Sequence, residues 1–348
     1  MFKWLRHMLN GPARAPARSS APAPLAAPAP QPATPVPVQV QGRRPVSFEQ
    51  TDRVASAYDS WLFERKNDSG LDLSALEHQV LAALDAIVSC EQSGAALVRR
   101  MPGLIPQLLQ SLRSDTFSGA ALARTISSDV VLVAAVVRLA NTAYQGTANS
   151  IASVEHAVML IGQEGLRQLI TSVAFRPIID LQSGHYTRTL APRLWEHAER
   201  CAAANRALAE ELGIEPFEAF LAGLVQNVGM IVALRVMDQV AKNDASLGAE
   251  LFCAQLVRAA RTLTCSIGRE WHFPENVTRA LAEQSGVQKG APLSPLGQLL
   301  MLSDYLGKVR ALIEHGRLGH ADPALFAGLP GYATRLSAAL APPPEALP

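Results

Sequence analysis

From residue 72 onward, apolar side chains recur every three or four positions, and this spacing limits the chain to helices. The segment from Ser74 to Glu77 has the form of a capping box, and Leu76, Val80 and Leu84 follow it on one predicted helix face. The strict apolar–polar alternation and the Asn-Gly turns that strands use are missing from the sequence. We therefore predict an all-α protein.

Turn and capping residues divide this part of the sequence into successive helices. In the first half, helices are expected near 118–126, 130–143, 154–161 and 164–175, and a Gly-His-Tyr break at 184–186 ends that half. Longer helices follow at about 191–212, 216–241, 248–270, 275–285 and 293–315. The organisation expected is two helical halves that pack on one another.

The first 44 residues differ in composition from the rest. They hold six basic residues and no acidic one, whereas the other 304 residues hold 25 basic and 30 acidic groups. Between 11 and 42 the segment is mostly proline and alanine, which favours extended chain without a packed core. We predict a disordered basic arm over 1–45. Its charge allows a solubilising tail, or contact of residues 1–18 with nucleic acid or an anionic membrane.

Cysteine spacing and hydropathy point to the cytoplasm. The four cysteines (Cys90, Cys201, Cys253, Cys265) are far apart and form no CxxC pair. This spacing predicts small buried residues in a reducing compartment rather than disulfides or zinc ligands. No cysteine–histidine pair is evident. The longest aliphatic run, 130–137, is too short to cross a bilayer, and the N-terminus lacks the apolar core of a signal peptide.

Residues 128–170 carry a family resemblance. The segments LANTAY (139–144), Ile151–Ser153 and AVMLIG (157–162) resemble the signature of HDOD domains, bacterial signalling modules related to the HD phosphohydrolases. The signature positions are Asn141, Tyr144, Gly146, Ser153 and Gly162. The resemblance implies an HD-domain-like helical bundle over 97–316, with halves at 97–183 and 190–316. A helical lead-in at 46–96 would precede it, and a tail at 317–348 would follow.

The second half resembles the helices that hold metal in HD hydrolases. In that family a histidine, a His-Asp pair and a later aspartate converge on a divalent ion, which activates water or polarises a phosphoryl oxygen. Here the corresponding positions form a degenerate site: His197, Gln226, Asn227, Thr264, Glu283, Gln284 and Asp304. His197 and Asp304 give two protein ligands where catalytic zinc sites keep three, and Glu283 is the candidate third.

The resemblance therefore implies no catalytic residue, no metal site and no cofactor. The Gly-Tyr-Pro triad of the cyclic-di-GMP phosphodiesterase branch is also missing, since Gly331-Tyr332 precedes an alanine. We expect a non-catalytic signalling module with protein partners, and the sequence leaves open self-association and a cyclic dinucleotide or other small ligand. Two alternatives stay open: a residual phosphohydrolase that uses His197, Glu283 and Asp304, and an adaptor that binds through the basic arm.

Overall fold

The structure is a computed structural model that describes residues 44–64, 72–89, 184–241, 247–285, 292–319 and 322–341, together with four helical positions between 165 and 172. Every regular element in these ranges is a helix, so the predicted all-α class is confirmed. The α-helices are α1 (Phe48–Leu62), α2 (Ala75–Ser89), α3 (His185–Ala209), α4 (Pro216–Val225), α5 (Val228–Ala241), α6 (Glu250–Glu270), α7 (Glu275–Ser285), α8 (Pro295–Glu314) and α9 (Ala333–Ala339). A short 3₁₀ helix spans Pro323–Leu325.

Two predicted helices have different bounds in the structure. The prediction of one helix over 216–241 is wrong, because a turn at Gln226 and Asn227 separates α4 from α5. Of the predicted break at 184–186, only Gly184 lies outside a helix, since it is the N-cap and α3 already begins at His185. Pro192 therefore lies inside α3 rather than at its start. The helices predicted over 118–161 lie outside the described residues.

Side-chain caps fix where several helices begin. Ser47 accepts the backbone N–H of Gln50 at the start of α1, and the Gln50 side chain returns the bond. The predicted capping box of α2 is confirmed: Ser74 Oγ accepts from Glu77 N at 3.2 Å, and Glu77 Oε2 accepts from Ser74 N at 2.8 Å. Such caps satisfy N–H groups that have no partner within the helix.

Helix α3 lies at the centre of the fold and packs against α4, α5, α8 and α9. Helix α6 packs between α5 and α7, and α2 packs across α5 and α6. The buried apolar residues of these helices form one continuous core. The stretch Pro216–Ala241 is long and apolar enough to cross a membrane, but most of it is buried inside this core.

The lead-in helix α1 and the described C-terminal residues are part of the same body. Helix α1 packs on α8 and buries Val54, Tyr58 and Leu62 almost completely. Gln50 Nε2 donates to the carbonyls of Ala324 and Ala327, which joins α1 to the segment after α8. The predicted lead-in is thus helical and lies next to the second half of the chain.

Candidate functional site

Three side chains from α3 and α8 form a charged chain at the centre of the candidate site. His197 Nε2 lies 2.8 Å from Asp304 Oδ1, and Lys308 Nζ lies 2.7 Å from Asp304 Oδ2. The His197 side chain is almost fully buried, whereas those of Asp304 and Lys308 retain 23% and 15% exposure. Lys308 follows Asp304 by one helical turn, the spacing at which side chains on a helix meet. Both carboxylate oxygens of Asp304 therefore have a partner.

Helix α8 approaches α3 closely at this point because Gly307 has no side chain. A Cβ at this position would lie 2.8 Å from His197 Cε1 and 3.3 Å from Cys201 Sγ. A contact of 2.8 Å is shorter than a side-chain carbon tolerates, so a larger residue would force His197 or one of the helices to shift. Gly307 thus sets the distance between the helices that carry His197 and Asp304.

The charges of this cluster follow from its contacts. Burial raises the pKa of Asp304, but the Lys308 ammonium and the His197 ring outweigh it and hold that pKa far below its usual value. Burial lowers the pKa of His197, while Cys201 and the Asp304 carboxylate raise it, and the net direction is upward. At neutral pH the aspartate is therefore an anion between two cationic partners.

Tyr58 of the lead-in helix forms one wall of the site. Its ring lies 5.7 Å from the His197 ring, centroid to centroid, and Lys308 Nζ lies 5.6 Å from the Tyr58 centroid. Burial raises the pKa of Tyr58 above its usual value, and the Asp304 charge adds to this effect. The hydroxyl therefore keeps its proton, and it is buried without a hydrogen-bond partner within the described part of the chain.

A cysteine also contacts the histidine, against expectation. Cys201 lies one turn after His197 on α3, and its Sγ is 3.7 Å from His197 Nε2. The thiol is fully buried and 3.4 Å from the carbonyl of Ser303, to which it donates. A thiol enclosed in this way has no access to a substrate, so the contact is one of packing.

An open pocket beside the cluster collects most of the degenerate site positions. It has a volume of about 800 Å³ including the solvent in its mouth. Six predicted positions line it: His197, Gln226, Asn227, Thr264, Gln284 and Asp304. The sequence resemblance therefore predicted residues from five helices and turns that the fold brings to one place.

The amide side chains that stand at the positions of metal ligands donate mainly to backbone carbonyl groups. Gln226 Nε2 donates to the Gly223 carbonyl at 3.1 Å. Gln284 Nε2 donates to the carbonyls of Ala280 and Gly297 at 3.2 and 3.1 Å. These bonds hold the ends of α4 and α7 in place, and an amide in this role offers a metal only a weak neutral oxygen.

Thr264, one of the degenerate site positions, joins α5 to α6. Its Oγ1 accepts from the Gly229 N–H at 3.0 Å and lies 3.0 Å from the Ala260 carbonyl. A Cβ on Gly229 would lie only 2.0 Å from that carbonyl oxygen, so the two helices almost touch. A residue larger than threonine would not fit between them without separating the helices.

Glu283 is not part of the pocket, and its place as third metal ligand is corrected by the structure. Both of its carboxylate oxygens accept from Ser294 N, at 3.0 and 3.1 Å, and Ser294 Oγ lies 2.9 Å from Oε2. Glu283 thereby supports the N-cap of α8, whereas the next residue, Gln284, lines the pocket. A one-residue difference of register on a helix turns a side chain by about 100°.

The side chains present do not fit a divalent metal ion. In the described ranges no three His, Cys, Asp or Glu side chains are grouped so that they could hold one. The oxygens of Asp304 are already engaged by His197 and Lys308, and Lys308 places a positive charge where an ion would bind. We therefore derive no step that involves a metal.

Comparison with known proteins identifies the family of the chain. The HDOD domain model matches residues 98–287, more than half of the chain. The chain belongs to the HDOD family. The match includes the signature residues Asn141, Tyr144, Gly146, Ser153 and Gly162, which lie outside the described residues, and it ends before Asp304. No curated protein matches the chain.

Several solved structures have a similar fold. A candidate signal transduction protein of Marinobacter aquaeolei VT8 has a TM-score of 0.51 at 18% identity, over 78% of this chain and 64% of that one. An HDOD domain protein of unknown function from Geobacter sulfurreducens has a TM-score of 0.48 at 17% identity, over 74% and 98%. A candidate phosphohydrolase of Shewanella amazonensis SB2B has 0.45 at 20%, over 78% and 100%. At these identities the likeness concerns the fold.

Two residues of the site were missed by sequence reasoning. Lys308 could have been found, because an acid and a base four residues apart on a predicted helix form an ion pair. Tyr58 could not, because it lies 139 residues before His197 and on a helix outside the family segment. Only the packing of α1 on α8 brings it to the pocket.

Proposed function

We propose that this HDOD protein is a non-catalytic signalling module that acts by binding partner proteins. The observation that carries the proposal is the engagement of Asp304 on both oxygens, by Lys308 at 2.7 Å and by His197 at 2.8 Å. The carboxylate that the HD resemblance assigns to a metal ion is instead neutralised by a lysine of its own helix. The pocket therefore keeps its shape without the groups that metal-dependent hydrolysis needs.

The alternative of a residual phosphohydrolase requires Lys308 to leave Asp304. The ammonium is tightly paired and mostly buried, and a divalent ion at Asp304 would lie close to this positive charge. With Glu283 bound to Ser294, such an ion would find only His197 and Asp304 as strong ligands. Two ligands are fewer than a catalytic site holds, which supports the non-catalytic function.

Metal content and hydrolysis test this function directly. Full-length protein prepared without chelator is analysed for Mn, Fe, Zn and Mg, and it is assayed against a phosphate diester and a phosphate monoester with each metal added. We expect less than about a tenth of an equivalent of metal, because real sites hold their ions tightly. A full equivalent with metal-dependent turnover would overturn the proposal.

Restoring metal ligands in two steps separates two causes of weak metal binding: the replacement of the His-Asp pair and the pairing of Asp304 with Lys308. The double variant Gln226→His/Asn227→Asp returns the His-Asp pair but keeps Lys308. We expect weak metal binding in this double variant and clearly tighter binding when Lys308→Met is added, because only the second change frees Asp304. Equal affinity in the two variants would show that Lys308 does not block the site.

Partner binding is tested by affinity capture with the full chain and with a chain that lacks residues 1–44. We expect the same protein partners from both, since the proposal assigns recognition to the helical body. Loss of capture together with loss of binding to anionic vesicles or DNA would instead favour the basic arm as an adaptor. This arm carries six basic residues and no acidic one.

A further inference from the structure

The pocket beside Asp304 contains several hydrogen-bond donors that have no acceptor. The Tyr58 hydroxyl and the Asn227 Nδ2 are both buried, and both line this pocket without a hydrogen-bond partner in the described ranges. Tyr58 is only 2% exposed, so bulk water does not satisfy its hydroxyl. Native proteins rarely leave such groups unpaired, and an absent ligand is one of the standard reasons.

A positively charged donor lines the same pocket. Arg261 of α6 has no hydrogen-bond or ion-pair partner within the described part of the chain, whereas most other arginines of α3 to α8 are paired. Arg44 is close enough to Arg261 for their charges to interact. Arg44 also leaves its Nε and one terminal nitrogen without a partner. The Asp52 carboxylate also interacts with Arg44, so Arg261 is the guanidinium of this pair that lacks a carboxylate partner in the described ranges.

The acidic residues of the pocket do not supply the missing acceptor. Asp304 is engaged by His197 and Lys308 on both oxygens. Asp59 also lines the pocket, but it takes part in another interaction. Three donors of the pocket thus stay without an acceptor in the described ranges: the Tyr58 hydroxyl, the Asn227 amide N–H and the Arg261 guanidinium. Donors of this kind select a ligand that carries several acceptor oxygens and a negative charge.

We propose that this pocket binds a small ligand through a phosphate group, which accepts from Arg261, Asn227 and Tyr58. The inference rests on the proposed non-catalytic function, because the phosphate would be held and not cleaved. The remainder of the lining includes Leu62, Leu194, Met230 and Leu281, which offer an apolar surface to an organic part of the ligand. Ligand binding would then be the input that the module passes to its partners.

The site is tested with the full chain by calorimetric titration with inorganic phosphate, against chloride at equal ionic strength. The test variant is Arg261→Gln. Its matched control is Arg258→Gln, an exposed arginine one turn earlier on α6 that does not line the pocket. We expect binding in the wild type and in Arg258→Gln, and at least about tenfold weaker binding in Arg261→Gln, as for a lost charged hydrogen bond. Equal affinities in the two variants would overturn the site.

Tyr58→Phe gives a readout that a structural role would not produce. The change removes only a hydroxyl that has no partner in the protein, so the free variant should unfold at the same or a higher temperature than the wild type. Its affinity for phosphate should nevertheless fall. A variant that loses stability but binds phosphate normally would show that the hydroxyl serves the fold, and it would overturn the part assigned to Tyr58.

A final comparison separates the ligand question from the question of catalysis. Adenosine monophosphate is titrated next to inorganic phosphate, and phosphate release is measured with added Mn²⁺. Tighter binding of the nucleotide assigns an organic phosphate, equal binding assigns the free anion, and either supports the site. Release of phosphate would overturn the non-catalytic function while leaving the binding site in place. Absence of binding to both probes would overturn the site alone.

Discussion

Asp304 is held between two positive partners, and this arrangement determines how single substitutions at the site act. A carboxylate with 23% exposure loses much of its hydration, so its partners replace water. Sequence reasoning placed His197 and Asp304 at one site through the family resemblance, because these residue types stand at the family's positions. It also placed Glu283 beside Gln284 at the site, whereas in the structure only Gln284 lines the pocket and Glu283 bonds to Ser294.

Replacing Lys308 with alanine should lower the free energy of unfolding by about 2 kcal/mol, because Asp304 would keep one partner instead of two. Arg310→Ala is the matched control, since Arg310 pairs with Glu314 on a more exposed part of the same helix. That control should cost only about 0.5 kcal/mol. Urea unfolding of both variants checks the difference. Equal losses would mean that the Lys308 pair contributes no more than a surface pair.

The raised pKa of His197 predicts a loss of stability at alkaline pH. A histidine with a higher pKa in the folded state stabilises the fold fully below its unfolded pKa of about 6.5, and this contribution disappears as the pH rises through the folded value. The lowered pKa of Asp304 acts in the opposite direction, and its contribution is lost as the pH falls below about 4.

Unfolding free energies measured from pH 4 to pH 10 check this dependence, with His197→Gln as the comparison. The wild type should lose stability above about pH 6.5, and the variant should have a flatter alkaline limb because it lacks the titrating ring. Parallel curves over this range would assign the alkaline loss to other groups.

At the level of elements, one buried carboxylate joins α2 to the start of α6. Glu77 of α2 is 2% exposed, and its Oε1 accepts from the backbone N–H groups of Gly248 and Ala249 at 2.9 Å each. Burial raises the pKa of Glu77, but these backbone bonds and those of Ser74 lower it overall. One side chain thus caps its own helix and the start of α6.

The change Glu77→Gln should destabilise the protein by about 1–2 kcal/mol, because a neutral amide replaces a charged acceptor of three backbone N–H groups. Glu275→Gln is a suitable control, because Glu275 is 87% exposed and pairs with Arg279 on the same helix. Thermal unfolding near pH 7 distinguishes the two. If both variants melt together, the cap of α6 is not held by Glu77.

Much of the element structure followed from the sequence, and the exceptions have physical causes. The capping box at Ser74 was visible because its residues are neighbours in the chain. The turn at Gln226 and Asn227 could not be predicted, because neither residue breaks a helix by itself and the surrounding sequence is uniformly apolar. The hydrogen bond that the Gly229 N–H donates to Thr264 Oγ1 fixes α5 against α6. It could not be predicted either, because the two residues are 35 positions apart.

For the molecule as a whole, helix α1 and the second half share one core, which predicts a single unfolding transition. Trp61 of α1 contacts His315 at 4.6 Å between ring centroids, and it reports on the attachment of this helix. We expect urea unfolding followed by Trp61 fluorescence, isolated by comparison with Trp61→Phe, to coincide with the loss of helical circular dichroism. An earlier fluorescence transition would indicate that α1 detaches before the body unfolds.

The composition of the pocket wall has a consequence for how relatives of this protein are compared. Tyr58 precedes the segment that matches the family, and Asp304 and Lys308 follow it. Two chains could thus agree over the whole matched segment and still present different chemistry in the pocket. The matched segment supplies Asn227 and Arg261 to the cavity, and the flanking helices supply Tyr58, Asp304 and Lys308, so both parts determine what it can bind.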